Sequence, residues 1–529
     1  GIQIATRSYT NRVENNTIRT VGSGANDFGV NIIGNTAGNN VTGNTISTNG
    51  TTANYGIVVQ TDASRTTINS NNVTTVGSTT SNFGIYLVSR VNGTNITNNV
   101  INTSGISSSN HGIRFDTSVN DTLVLNNSVF SGGSAGSNYG VYMVTKSFRN
   151  NLTHNRVLSR GTNDNYGIFL QNNADFSTVE YNNVTTNGTT TTNTGIFATI
   201  STQNNITNNI VATNGTSANH GISLQTDSNT TTVSGNTITT TGSSSANYGI
   251  YLITRVTSNN LTNNVINTSG TANDHGITID GSNETIVLNN SINCGGSTSN
   301  HYCINTATRS FRNNLTHNRI SAVGTDTNIG IYLITNANFN TVEYNNVTTN
   351  GTGSADAGIR SQTSSNNNIT NNIIFTNGSA ASPGVQVDID SNVTVVDQNN
   401  ITAGGRGADN YGVYIVTRAT SNNVTNNVIN ASGTNSNFGV RITTSNETIV
   451  LNNTIRNGGS ANDNYGVYMV TKSFRNNITQ NRIFTGGTAN NYGVYLINNG
   501  DFNTVDRNNI SANGSTSANV GIRQQTAMQ

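Results

Sequence analysis

The sequence predicts an all-β chain: a right-handed parallel β-helix, or solenoid, of about 19–20 coils of 26–28 residues with three short strands in each. Three observations predict it. A Gly followed by Ile or Val recurs every 26 to 28 residues, a single Asn recurs with it about fifteen residues later, and the segments between are rich in Gly, Ser, Thr and Asn. Helical repeats need long stretches of Ala, Leu, Glu and Lys at a 3.6-residue period, which are missing, and propeller blades need about 40 residues or more.

Each recurring Gly opens a strand. The series runs from Gly29, Gly56, Gly84 and Gly112 to Gly276 and resumes from Gly330 to Gly521, with Cys303 in the one missing place. Gly84-Ile85-Tyr86-Leu87-Val88 shows the alternation, with Ile85 and Leu87 on one face and Tyr86 on the other. About twelve residues past the Gly comes an apolar residue, then Asn three later, then another apolar residue two after that, as in Ile96, Asn99 and Ile101. The central Asn is invariant: Asn16, Asn44, Asn71, Asn99, Asn127, Asn155, Asn182, Asn209, Asn236, Asn264, Asn290, Asn318, Asn345, Asn372, Asn399, Asn427, Asn453, Asn481 and Asn508. Such a position wants a short side chain that both donates and accepts and that tolerates a left-handed backbone, so a stacked Asn ladder is expected.

Composition agrees with one elongated domain over residues 1–529. Charged residues make up 9%, hydrophobic residues 32%, there is one Pro, and Trp is absent, a balance unlike both a disordered chain and an ordinary globule. A net charge of +1 with no basic cluster argues against a nucleic-acid partner, and no apolar run is long enough to span a bilayer. A second period overlies the first. Thr145-Lys146-Ser147-Phe148-Arg149-Asn150-Asn151 returns at 308–314 and 471–477, so a six-coil block is duplicated about every 163 residues. The sequence opens at a coil's first Gly and stops early in another coil, so it is expected to be part of a longer array, with head-to-tail joining of its ends as the alternative.

The pattern Ile-x-x-Asn-x-Ile after a Gly-Ile strand resembles the pectate-lyase-like parallel β-helix superfamily, especially the Asn-rich β-helix repeats of surface proteins. The resemblance covers the whole chain and implies the fold. It implies little about activity, because that superfamily includes lyases, polygalacturonases, tailspikes, adhesins and surface-layer-like proteins.

Glycosidic-bond chemistry needs two carboxylates flanking the bond. The nearest pair in sequence is Asp388 and Asp390, expected to point outward on one strand about 7 Å apart, with Arg360 and Gln386 nearby. Against catalysis, Asp390 matches Asp62 and Asp227, and each aligns with an Arg one coil on: Arg418, Arg90 and Arg255. These read as ion pairs between coils. His111, His220, His275 and His301 fall at or beside the residue before the repeat Gly, where Phe or Tyr also occurs, and read as rings packed at a bend; His154 and His317 take equivalent strand positions. No metal site or cofactor is expected.

Tyr86, Tyr142, Tyr251, Tyr332, Tyr414, Tyr468 and Tyr495 should face outward and form a contact file for sugar rings or a neighbouring copy. Cys294 and Cys303, nine positions apart at one loop, either form a disulfide or stand as separate thiols. Asn-x-Ser/Thr sequons in the turn-rich segments, at Asn49, Asn102, Asn187, Asn214, Asn267, Asn350, Asn377, Asn430 and Asn513, are candidate N-glycosylation sites. The functional expectation is a non-catalytic extracellular structural or adhesive solenoid that self-associates in a cell-surface fibre, sheath or surface layer. The alternatives are a polysaccharide lyase or hydrolase and a glycan-binding module.

Overall fold

Alternation of inward Ile, Val or Leu with outward polar residues makes each repeat's apolar segments strands, and the polar turns between them bend the chain back onto itself. The computed structural model describes residues 1–525, apart from 24–25, 79–80, 107–108, 135, 190–191, 217, 244–245, 299, 354–355, 380, 406–408, 435, 461–462, 489, 498–501 and 516–517. Within them the chain is all-β, a parallel β-helix, and it divides into two compact units, Gly1–Asn267 and Thr268–Gln529.

In the first unit one coil consists of Asn82–Val88, Asn95–Thr97 and Val100–Gly105. Each strand pairs in parallel with its counterparts one coil away: Ile85 with Ile57 and Ile113, Ile96 with Ile68 and Val124, and Ile101 with Val73 and Val129. Stacking like on like gives a thin core of aligned Ile and Val columns, nearly all without solvent contact. Burial of each such side chain contributes on the order of 1.5–3 kcal/mol.

The second unit repeats the scheme. Asn437–Thr443, Ile449–Leu451 and Thr454–Gly459 form one of its coils. Val440 is in register with Val413 and Val467, Val450 with Val424 and Ile478, and Ile455 with Ile429 and Ile483.

The repeat Gly marks a close approach. A Cβ on Gly84 would meet Ile101 Cγ2 at 2.2 Å and the Gly112 carbonyl oxygen at 2.7 Å, so the first and third strands of a coil come together only where a side chain is missing. Cys303 is the exception, and there the side chain is tied back. It is bonded to Cys294, with the Cα atoms 5.3 Å apart. Cys294 lies on Ser291–Gly296 and Cys303 on His301–Ala307, so the bridge joins two strands across the intervening turn.

Two corners carry left-handed residues. The first has two in succession and another three residues on, such as Thr117, Ser118 and Asp121 (φ 61°, 65° and 51°). The second has one, such as Asn98 (φ 56°), placed immediately before the ladder Asn. The expected left-handed backbone therefore belongs to the neighbour and not to the ladder residue, and this explains why the neighbour varies. His154 and Tyr181 occupy it as well as Asn, because its backbone N–H, bonded across coils, needs no particular side chain.

Candidate functional site

The ladder Asn is held by three bonds. Asn99 Nδ2 donates to Asn127 Oδ1 (3.0 Å) and to the carbonyl of Ile68 (2.9 Å), while its backbone N–H donates to the same Asn127 Oδ1 (2.9 Å). In the first unit the amide chain runs from Asn16 to Asn264, and in the second from Asn290 to Asn508, with every rung between 2.9 and 3.1 Å. Each buried amide is thereby satisfied, which is why no other residue type replaces it.

A second ladder escaped the sequence reading. The Asn two residues before the repeat Gly stacks in the same way: Asn54 on Asn82, Asn82 on Asn110, and Asn110 on Asn138 in the first unit, and Asn410 on Asn437 and Asn437 on Asn464 in the second. Its signal was the fixed two-residue offset from Gly, hidden in turns already crowded with Asn. In the second unit this column also holds ionisable groups, Asp274, His301 and Asp356, all buried. Burial raises the Asp356 carboxyl and lowers the His301 imidazole.

The ion pairs form at the first corner. Arg90 grips Asp62 through two bonds (2.6 and 2.8 Å), Arg255 grips Asp227 (3.1 and 2.9 Å), and Arg418 grips Asp390 (2.9 and 2.9 Å). Hydrogen bonds from the guanidinium hold all three carboxylates below their ordinary range. Asp388 and Asp390 do not share a strand face as expected. The strand Val385–Asp388 ends there, and Asp390 sits in the left-handed corner (φ 58°). Asp388 turns instead to Arg360 Nη2 (2.6 Å) and Gln386 Nε2 (3.2 Å), both side chains of the ion pair being largely buried. The two carboxylates thus serve separate arginines.

The tyrosine file is not an open surface either. Its members point away from the core, yet rings at the position before the repeat Gly fold over them. Tyr86 packs against Tyr55 and Phe83 (centroids 5.4 and 5.2 Å), and Tyr142 against His111, Tyr139 and Phe169 (5.2, 5.1 and 4.9 Å). Tyr251, Tyr414 and Tyr468 are half-buried, and Tyr332 and Tyr495 are 4% and 7% exposed. Arginines thread between the rings. The Arg114 guanidinium lies 4.9 Å from the Phe83 centroid and 5.3 Å from that of Tyr142, and bonds Asp116 (2.8 Å); Arg441 lies 5.1 Å from Phe438. Burial, with the Asp116 charge second, pushes the Tyr86 phenol up to about 12.

His111 stacks between Phe83 and Tyr139, both at 4.8 Å, on the strand Ser109–Asp116 rather than at a bend. Burial pushes His220 down to about 4, and burial with the nearby His301 pushes His275 down to about 3. His301 departs from the pattern and stands in the second ladder column. His154 and His317 stack on Tyr181 and Tyr344 (5.1 and 5.0 Å). Among the described residues no group of three His, Cys, Asp or Glu converges, and no helix is long and apolar enough to cross a membrane.

The sequons lie on strands rather than in turns. Asn49, Asn102, Asn187, Asn214, Asn267, Asn350 and Asn513 are exposed on the third strand of their coils, Asn430 is half-buried there, and Asn377 follows directly on Ile373–Thr376.

No family model matches the chain, and no curated protein sequence does. Among solved structures it is similar to the Dettilon tailspike protein (10% identity, TM-score 0.30, covering 72% of this chain and 62% of that one). It is also similar to a mutant of the periplasmic alginate epimerase AlgG (12%, 0.26, 62% and 72%) and to the A-module of the Azotobacter vinelandii mannuronan C-5 epimerase AlgE4 (10%, 0.21, 79% and 86%). The chain spans 62% of the tailspike's length. Parallel sheets in each unit, stitched by stacked amides, make this chain a parallel β-helix.

Proposed function

We propose that the chain is an extracellular structural β-solenoid that builds or decorates a cell-surface fibre, sheath or surface layer by self-association, and that it turns over no substrate. The observation that carries this reading is where the polar side chains go. Asn in both ladders and the corner arginines with their aspartates bond an adjacent coil, Arg441 donates to the Tyr411 hydroxyl one coil away, and Arg114 lies over the Phe83 ring of the preceding coil. A catalytic pair needs carboxylates of unlike environment aimed at one bond, and Asp388 and Asp390 are each neutralised by a different arginine. Sequons at equivalent places in successive six-coil blocks, Asn187, Asn350 and Asn513, would dress such a surface with glycans in a glycosylating host.

The test is electron microscopy of the native material, paired with incubation of the purified chain with alginate and pectin. Ordered filaments or sheets and no change in either polymer are expected. Isolated particles that cleave or epimerise the polysaccharide, with loss of that activity in Asp388→Asn, would reverse the conclusion.

A further inference from the structure

One surface feature of the first unit loses its lining residues six coils on. A groove of about 840 Å³ runs across the third strands of successive coils from Val21 to Arg160. Its walls carry Val21, Val76 and Ile106, 66%, 38% and 65% exposed, large apolar side chains with no core to fill. At one end the Phe130 ring lies down over Gly132, where a Cβ would meet it at 3.0 Å, and the Arg160 guanidinium stands 5.9 Å from the ring centroid. From the Gly22 coil to the Gly161 coil is five steps of strand spacing, about 24 Å.

The duplicated blocks act as internal controls. Six coils on, the places of Val21, Val76, Ile106, Phe130 and Arg160 are taken by Asn187, Thr241, Thr271, Asn293 and Val323, so the apolar walls become polar and the cation is lost. The fold therefore requires none of these five side chains. Their coincidence along one trough is a property of the first block alone.

Lining chemistry selects the occupant. The backbone along the groove is already paired between neighbouring third strands, and Thr51 donates its hydroxyl to the Ser23 carbonyl (3.1 Å), so the polar groups left to an occupant are the side chains of Asn49, Ser78, Ser104 and Ser134 beside Arg160. The rest of the lining is a mainly apolar track with one cation at its end, and no acidic residue lines it. From this charge complementarity we infer that the groove binds a long-chain fatty-acid carboxylate, with the acyl chain along Val21, Val76 and Ile106 and the carboxylate on Arg160. Its volume falls within the ordinary range of ligand pockets.

The experiment is titration of the full chain with palmitate and with hexadecanol, read by calorimetry or by displacement of a fluorescent fatty acid. One saturable site is expected, with palmitate bound at least about tenfold more tightly than the alcohol, because a hydrogen bond to a charged group is worth that much. Arg160→Gln should remove the difference between the two ligands. Val76→Thr with Ile106→Thr, residues that the later coils already hold, should abolish binding of both and leave the melting temperature unchanged. Absence of a saturable site, or equal binding by the double variant and the parent chain, would overturn the inference. So would an acidic oligosaccharide that saturates the parent chain and is lost in the double variant, since that outcome assigns the groove to a sugar.

Discussion

Asn99 gives its backbone N–H and one amide proton to the same atom, Oδ1 of Asn127, at 2.9 and 3.0 Å, while Asn127 returns a proton to the Ile96 carbonyl of the preceding coil at 2.9 Å. Replacing Asn127 by Ala orphans two buried donors and one acceptor, each worth about 1–3 kcal/mol when unsatisfied. A loss on the order of 3–5 kcal/mol is expected, concentrated in the adjoining coils because each coil touches only its neighbours. Hydrogen exchange should show lost protection around residues 96–128 and little change elsewhere. Exposed Asn102→Ser should stay within about 0.5 kcal/mol.

Two arginines should behave differently. Arg90 bonds Asp62 in open solvent, so Arg90→Gln is expected to leave stability nearly unchanged, the more so in high salt. Arg114 lies among Phe83, Tyr86 and Tyr142, and its loss leaves the Asp116 carboxylate without its ion pair. Arg114→Gln should cost about 1–3 kcal/mol and change little with salt. Thermal melts of both variants at low and high ionic strength make the comparison.

Acid should loosen the solenoid through its buried histidines. His220 and His275 are buried neutral, with folded values of about 4 and about 3 against an ordinary 6.5. Their contribution is complete above pH 6.5 and is lost as pH falls toward those folded values, at roughly 1.4 kcal/mol per pH unit for each group. His220→Thr, which copies Thr194 in the preceding coil, should flatten melting temperature against pH between 6.5 and 4 relative to the parent chain. A slope unchanged by that substitution would show that burial of His220 does not govern the transition.

The disulfide should be dispensable. Cys303 occupies a glycine position, so Cys303→Gly with Cys294→Ala restores the pattern of the other coils. Loss of the short cross-link should cost about 2–3 kcal/mol while circular dichroism of the folded chain stays the same. Unfolding of the reduced parent chain and of the double variant should then coincide.

The main ladder, the coil length and the corner ion pairs were legible because each is a fixed offset within one period. Asn99, Asp62 and Arg90 recur at the same place whatever surrounds them. What the period concealed was diagonal. Burial of Tyr86 depends on Tyr55, Phe83 and Arg114 in three different coils, and strand alternation describes only its own strand. The groove was hidden in the same way, since Val21, Val76 and Ile106 are far apart in sequence and only parallel stacking brings them to one trough. Asp390 was misplaced because alternation was carried one step too far, past the point where Ile389 already turns left-handed (φ 37°).

In both units each rung of the main ladder hands its proton toward the higher-numbered coil. The stack is consequently a vector, oxygen-leading at one extremity and hydrogen-leading at the other. A two-fold junction between equivalent extremities would set oxygens against oxygens or protons against protons, whereas a translational junction continues the series without a seam. In the proposed fibre or sheath, longitudinal growth would therefore have an arrow, with every module facing the same way.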